Sequence, residues 1–204
     1  MNFHGKKLAI DDFRRTDDVF DISVKTLSSV NLNIFSDTST PEERLRNIFM
    51  FTRDSIRYVF RLTRDPETIR ASAVLGRRRG FCTQKAVLFS SLARAAGIPA
   101  GICFFDILDH MLMPSSPIRF HGTPCVYVRG RWIVYDITLD QHFCRSHNRP
   151  VVQFDPGRDC LMAPCTADGS RHVQYISCRG ICSRIKPGAY AVLMSRIYRK
   201  DLFM

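Results

Sequence analysis

An α+β fold is predicted for this 204-residue chain, in which a helix that opens on a cysteine packs against an antiparallel sheet. Helical apolar spacing at two places, apolar runs separated by turn signals, and the order of helix before sheet predict it. The first helix begins at Thr40-Pro41-Glu42-Glu43, a capping box with proline at the first helical position. Leu45, Ile48, Phe49, Ile56, Val59 and Phe60 continue at helical spacing, so the helix is expected to approach residue 60. Arg44, Arg46, Arg53 and Arg57 lie off that stripe and are expected in solvent. A second helix begins near Cys82, after the permissive Gly80, and runs through Ala86, Phe89, Leu92, Ala93 and Ala96. Gly97-Ile98-Pro99 ends it: glycine suits the left-handed position, Ile98 can make the accompanying apolar contact, and Pro99 prevents continuation. The runs 100–107, 124–128 and 132–137 read as strands, with Arg129-Gly130 as a tight hairpin turn. From Asp140 onward only Ala189 to Ile197 reads as regular structure, a final helix, and the segment from Val19 to Ile34 is left unassigned.

Composition bounds the function. Hydrophobic residues at 45% and charged residues at 24% give the mix of a globular protein. With no repeat and no Pro/Gly/Ser linker, one domain over residues 1–204 is expected. The first residues reach Asp11 and Asp12 before any apolar run long enough for an export signal, and no stretch of about 18 uncharged apolar residues occurs, so a cytoplasmic protein with no membrane span is expected. The eight cysteines form no C-x-x-C pair, and Cys178 and Cys182 have no second ligand pair beside them. Most of them are expected to be small buried groups. The formal charge of +11 attracts anions, but Arg77-Arg78-Arg79 is the one tight basic run and no nucleic-acid motif accompanies it. An acidic protein or an acidic small substrate is therefore expected ahead of nucleic acid.

The chemistry centres on Cys82. At a helix start, unpaired N–H groups and the positive end of the dipole stabilise a thiolate, the reactive form, although a core cysteine could sit there too. If Arg129-Gly130 is a two-residue turn, Val128 faces Arg131, Thr123 faces Asp136, and His121 stands one diagonal step from Asp136 on the same face. A surface histidine opposite an unrelated aspartate is the alternative, and a different register would make Asp140 the candidate acid. Nucleophile, base and orienter in the order Cys82, His121, Asp136 form the set by which a thiolate attacks a carbonyl and holds the acyl group as a thioester. The backbone N–H of Cys82 is the expected first donor of an oxyanion hole, with the second donor open. Gln84 and Lys85 are read as solvated residues of the first turn. His110, near Asp106 and Asp109, is read as a loop residue ahead of a metal ligand, and His142, His147 and His172 as surface or hydrogen-bonded loop residues.

The segments G-F-C-T-Q-K-A-V-L-F-S-S-L-A-R-A-A-G-I-P-A (80–100) and H-G-T-P-C-V-Y-V-R-G-R-W-I-V-Y-D-I-T (121–138) resemble the transglutaminase-like core. Cys82, His121 and Asp136 fall on the family's nucleophile, base and acid positions. The 154–157 and 171–175 segments resemble the tail of small bacterial members, while Thr123 and Ile137 stand where the family commonly has an aromatic residue and proline. The resemblance implies a papain-like fold and chemistry that forms, exchanges or hydrolyses amide bonds through a thioester, with no cofactor and no metal. The substrate implied is an amide or thioester, in one version borne on an acidic carrier protein that the positive charge would steer. A non-catalytic basic binding module on the same fold is the competing expectation.

Overall fold

The protein, seen in a computed structural model, is described over residues 9–23, 25–26, 40–60 and 65–198. Much of the unassigned Val19–Ile34 segment and the first eight residues lie outside them. The Thr40 capping box forms: the Thr40 N–H donates to Glu43 Oε2 at 2.7 Å and the Glu43 N–H donates to Thr40 Oγ1 at 3.2 Å. It opens α1 (Pro41–Asp54), whose Leu45, Ile48 and Phe49 are buried. The helix ends at Asp54 and not near Phe60. The chain then extends as β1 (Arg57–Tyr58), pairing in parallel with β2 (Arg79–Gly80). The Arg57 N–H donates to the Arg78 carbonyl at 2.9 Å and the Val59 N–H to the Gly80 carbonyl at 3.1 Å. Ile56 is buried from the bend between α1 and β1, so apolar spacing continued where the helix did not. Arg53 also departs from expectation. It is buried, and its guanidinium donates to the Asp54 carboxylate and the Val152 carbonyl.

After α2 (Ala71–Arg77) and β2 comes α3 (Cys82–Ala95), buried almost throughout because α1 and α2 pack on one side and the sheet on the other. Its interior polar groups find backbone partners: Ser90 Oγ donates to the Gly101 carbonyl at 2.9 Å, and Arg94 Nε to the Ala100 carbonyl at 2.9 Å. Lys85, expected in solvent, is fully buried, and its Nζ donates to the carbonyls of Arg53 and Thr138, each at 2.9 Å. Those two bonds tie the end of α1 to the chain after the hairpin. The helix ends as expected: Gly97 has φ +78°, and the Ile98 N–H donates to the Ala93 carbonyl at 2.9 Å, the closing bond of a Schellman motif.

Four antiparallel strands follow in the spatial order β5-β4-β3-β6. They are β3 (Ala100–Asp109), β4 (Ile118–Val128), β5 (Arg131–Val134) and β6 (Val173–Cys182). Arg129 (φ +50°) and Gly130 (φ +78°) make a turn with both central residues left-handed, and Val128 pairs with Arg131 through to Cys125 with Val134. β4 starts earlier than expected and β5 stops earlier. Past Tyr135 the chain leaves the ladder, because the Asp136 N–H donates to the Cys160 carbonyl at 2.7 Å.

The region after Asp140 holds α4 (Gln141–Ser146), β6 and the expected final helix, α5 (Pro187–Ile197). β6 was hidden in sequence because its burial does not alternate and register shifts interrupt its pairing with β3. His172 is the hydrogen-bonded loop residue of the two expected alternatives: it is fully buried, its Nδ1 within 2.9 Å of the Ala163 carbonyl oxygen. All eight cysteines are free; Cys103, Cys125, Cys144 and Cys160 are buried, and Cys165 and Cys178 exposed. Among the described residues no helix is long and apolar enough to cross a membrane.

One close approach fixes how β4 meets α3. A Cβ on Gly122 would lie 2.6 Å from Thr83 Oγ1 and 3.1 Å from Thr83 Cα, so the hairpin touches the first turn of the helix only because position 122 has no side chain. Gly122→Ala should leave the far-UV circular dichroism unchanged while displacing the hairpin, and the alkylation rate of Cys82 should fall roughly 10²-fold. Burial pushes the Lys85 ammonium from its ordinary 10.5 down to about 7, against the pull of Asp140, Asp54 and Asp136. Lys85→Met leaves two buried carbonyls unpartnered and should cost roughly 1–3 kcal/mol by urea unfolding at neutral pH. Between the folded and unfolded pKa values folding releases a proton, so the parent gains stability as pH rises from about 7 to about 10.5. The gap between parent and Lys85→Met should widen over that range.

Candidate active site

Cys82 occupies the first position of α3, where backbone N–H groups have no acceptor inside the helix. Phe81, before it, is extended (φ −89°, ψ −179°), and Gln84 Oε1 accepts the Phe81 N–H at 3.2 Å. The other end of Gln84 is also engaged, Nε2 donating to the Thr68 carbonyl at 3.0 Å. Gln84, read from sequence as a solvated residue, is thus a buried brace for the helix start.

His121 lies on β4 opposite Phe105 of β3, next to a break in the β3–β4 register. Phe120 has φ +55°, uncommon for an aromatic residue, and such local distortions next to sites re-aim side chains. His121 is buried, and its Nε2 lies 2.6 Å from Asp136 Oδ2. That leaves Nδ1 as the ring nitrogen for Cys82, whose thiol the imidazole stabilises in its charged form. The structure therefore brings Cys82, His121 and Asp136 together. The hairpin register set by Arg129-Gly130 carries Asp136 to His121 although the strand ends at Val134. Asp140, the fallback acid, instead caps α4 by accepting the Phe143 N–H at 2.8 Å and accepts the Tyr58 N–H at 2.7 Å.

Tyr175 of β6 completes the cluster. Its hydroxyl donates to Asp136 Oδ2 at 2.5 Å, and the Thr138 N–H donates to Asp136 Oδ1 at 3.1 Å. The ring meets Phe105 edge-on at 5.3 Å. Sequence reasoning missed this residue because β6 pairs with β3 from a distant point in the chain; the H-V-Q-Y segment was noticed as a tail feature without a role.

The electrostatics favour charge separation. Burial pushes the Cys82 thiol up, but His121, the Gly122 N–H and the Thr83 hydroxyl together hold it below the ordinary thiol range. Burial pushes the His121 imidazole down, and the Asp136 carboxylate beside it outweighs this, so the ring holds its proton well above the usual histidine range. Asp136, penalised by burial, is kept ionised by His121, Tyr175 and Thr138.

The remaining candidates lie elsewhere. His110 donates its backbone N–H to the His172 carbonyl at 2.8 Å, and its neighbours Asp106 and Asp109 are bound by Arg179 and Arg149. Among the described residues no group of three His, Cys, Asp or Glu could hold a metal ion. His142 and His147 are exposed on α4 and just after it.

A family model described as the transglutaminase-like superfamily matches residues 28–137, which include Cys82, His121 and Asp136. No curated protein matches the sequence. A solved structure described as a candidate cysteine protease from Cytophaga hutchinsonii superposes with a TM-score of 0.51 at 22% identity, over 68% of this chain and 45% of that one. A candidate protease from Parabacteroides distasonis gives a TM-score of 0.40 at 15% identity, over 61% of this chain and 26% of that one. The chain spans under half the length of either protein. The family match and the fold of a helix bearing Cys82 packed on a curled antiparallel sheet lead to one conclusion: this chain belongs to the transglutaminase-like superfamily.

Proposed function

We propose that the protein is a cysteine-dependent acyl-transfer enzyme working through a thioester, with Cys82 as nucleophile, His121 as general base and acid, and Asp136 as the carboxylate that orients His121. The observation that carries this reading is His121, buried beside Cys82 on one pocket with its Nε2 2.6 Å from the Asp136 carboxylate. The Cys82 sulfur bonds to a carbonyl carbon, and the negative charge moves to the carbonyl oxygen, near the Cys82 N–H at the helix start. Collapse breaks the bond to the amine or thiol leaving group, which takes the His121 proton. An amine or water then attacks the thioester, giving a proton back to the imidazole and releasing the thiolate. The Asp136 carboxylate stabilises the charged ring throughout.

Intact-mass measurement with a panel of amide and thioester donors tests the reading directly. An acyl adduct on Cys82 is expected, lost together with turnover in Cys82→Ala while the fold persists. Full activity in that variant would end the proposal. The lowered thiol and raised imidazole predict a pH profile as well. In the parent, the iodoacetamide labelling rate of Cys82 should rise at a lower pH than that of an ordinary thiol of pKa near 8.5. In His121→Ala the labelling rate should follow an ordinary thiol's titration.

Asp136→Asn should fold and lower turnover by up to roughly 10⁴-fold, on the precedent of serine enzymes. Tyr175→Phe, which removes one hydrogen bond to the buried carboxylate, should cost roughly tenfold. It should also shift the alkaline limb of the pH–rate profile upward, because Asp136 stays ionised and, without the tyrosine hydroxyl, holds the charged His121 ring more tightly. A Tyr175→Phe profile superimposable on the parent's would show that this hydroxyl does not act through Asp136.

A further inference from the structure

The space beside Cys82 and His121 is apolar. Its other walls include Tyr58, Phe60, Leu112, Ile118, Phe120 and Met162. One further carboxylate, Asp109, reaches it, and that carboxylate is fully engaged. Oδ1 accepts the N–H groups of Met111 and Leu112 at 3.0 and 2.9 Å, and Arg149 binds both oxygens at 2.7 and 3.1 Å. Among the described residues, the pocket lining thus offers no available cation to an acidic group and no available anion to a basic one.

The C-terminal helix closes this pocket. Met194 of α5 is only 2% exposed and packs against Phe81 and Cys82. Tyr198, just past the helix, also lines the pocket, meets Phe60 edge-on at 6.4 Å and donates its hydroxyl to the Arg119 carbonyl at 2.6 Å. Tyr190 stacks on Phe81 at 6.4 Å and donates to Thr83 Oγ1 at 2.8 Å. The room left beside Cys82 is about 20 Å³, enough for a single water molecule and far too little for an acyl donor. On its other side α5 rests on the short turn Pro66–Ile69 across a second gap of about 20 Å³, and Val192 on its outer face is half exposed. The helix is held by its packing on Pro66–Ile69, by apolar contacts over the pocket and by two tyrosine hydroxyls.

We propose that this pocket is the subsite for the group carried on the reacting carbonyl, that it takes a large aliphatic or aromatic side chain, and that α5 closes it until such a donor displaces Met194 and Tyr198. The inference rests on Cys82 being the nucleophile. Burying an apolar side chain here replaces the buried surface that α5 gives up, whereas an ionised side chain would lose its hydration with no partner gained. Only an apolar donor can therefore compensate the lifting of the helix.

The test compares labelling rates of Cys82 by peptidyl acyloxymethyl ketones that differ only in the residue next to the ketone, Phe, Leu, Asp or Lys, with iodoacetamide as a small reference. Each is run on the parent and on the Tyr190→Phe/Tyr198→Phe double variant, whose fold is checked by circular dichroism. Phe and Leu ketones should label the parent about tenfold or more faster than the Asp and Lys ketones. The double variant should raise the Phe and Leu rates several-fold and the iodoacetamide rate less. Equal or faster labelling by the charged ketones overturns the subsite, and unchanged Phe and Leu rates in the double variant overturn the closure by α5. If iodoacetamide labels Cys82 no faster than free cysteine in both proteins, the nucleophile assignment itself falls. Fast iodoacetamide labelling with indiscriminate ketones removes only the subsite.

Discussion

The contact between Gly122 and Thr83 sets the geometry on which the rest depends. A hairpin and a helix can approach this closely only where one backbone lacks a Cβ, and here that point lies between His121 and the turn that begins with Cys82. The backbone of position 122 then serves the sulfur as well, since its N–H stabilises the thiolate. Steric fit and electrostatics come from the same residue. A side chain there would separate the imidazole from the thiol without unfolding either element.

Behind that contact the protein arranges buried charge in two adjoining groups. In one, Asp136 takes hydrogen bonds from His121, Tyr175 and the Thr138 amide, so a carboxylate with no exposure stays ionised. In the other, Lys85 fixes the carbonyls of Arg53 and Thr138, with Asp54 and Asp140 nearby. The Thr138 backbone belongs to both, its amide bonding Asp136 and its carbonyl bonding Lys85. The helix that presents Cys82 and the loop that presents Asp136 are thereby held in one frame, and the site needs no exposed loop to assemble it.

The surroundings of the thiol are, by contrast, apolar and crowded. Aromatic and methionine side chains from β1, β4, the tail and α5 surround a pair of opposite charges, and low polarity strengthens that pair. The same crowding leaves no room for a substrate. On the proposed reading, an apolar cover over this pair protects the nucleophilic thiol and at the same time ties access to the character of the arriving group.

What the sequence by itself determined is local. The capping box at Thr40, the Gly97-Ile98-Pro99 stop and the Arg129-Gly130 turn are short-range devices, and each forms as its residues dictate. Because strand side chains alternate, the two-residue turn also aligned His121 with Asp136, and the helix start marked Cys82. What only the tertiary structure decided is long-range. Helical spacing could not tell Ile56, in the bend before β1, from a helical residue, because either position buries it. Lys85 and Arg53 read as solvated because their acceptors are backbone carbonyls of distant segments, which leave no trace in side-chain patterning. Strand β6, Tyr175 and the cover formed by α5 depend on which surfaces remain open once the helix and hairpin have packed, and that is a property of the assembled core.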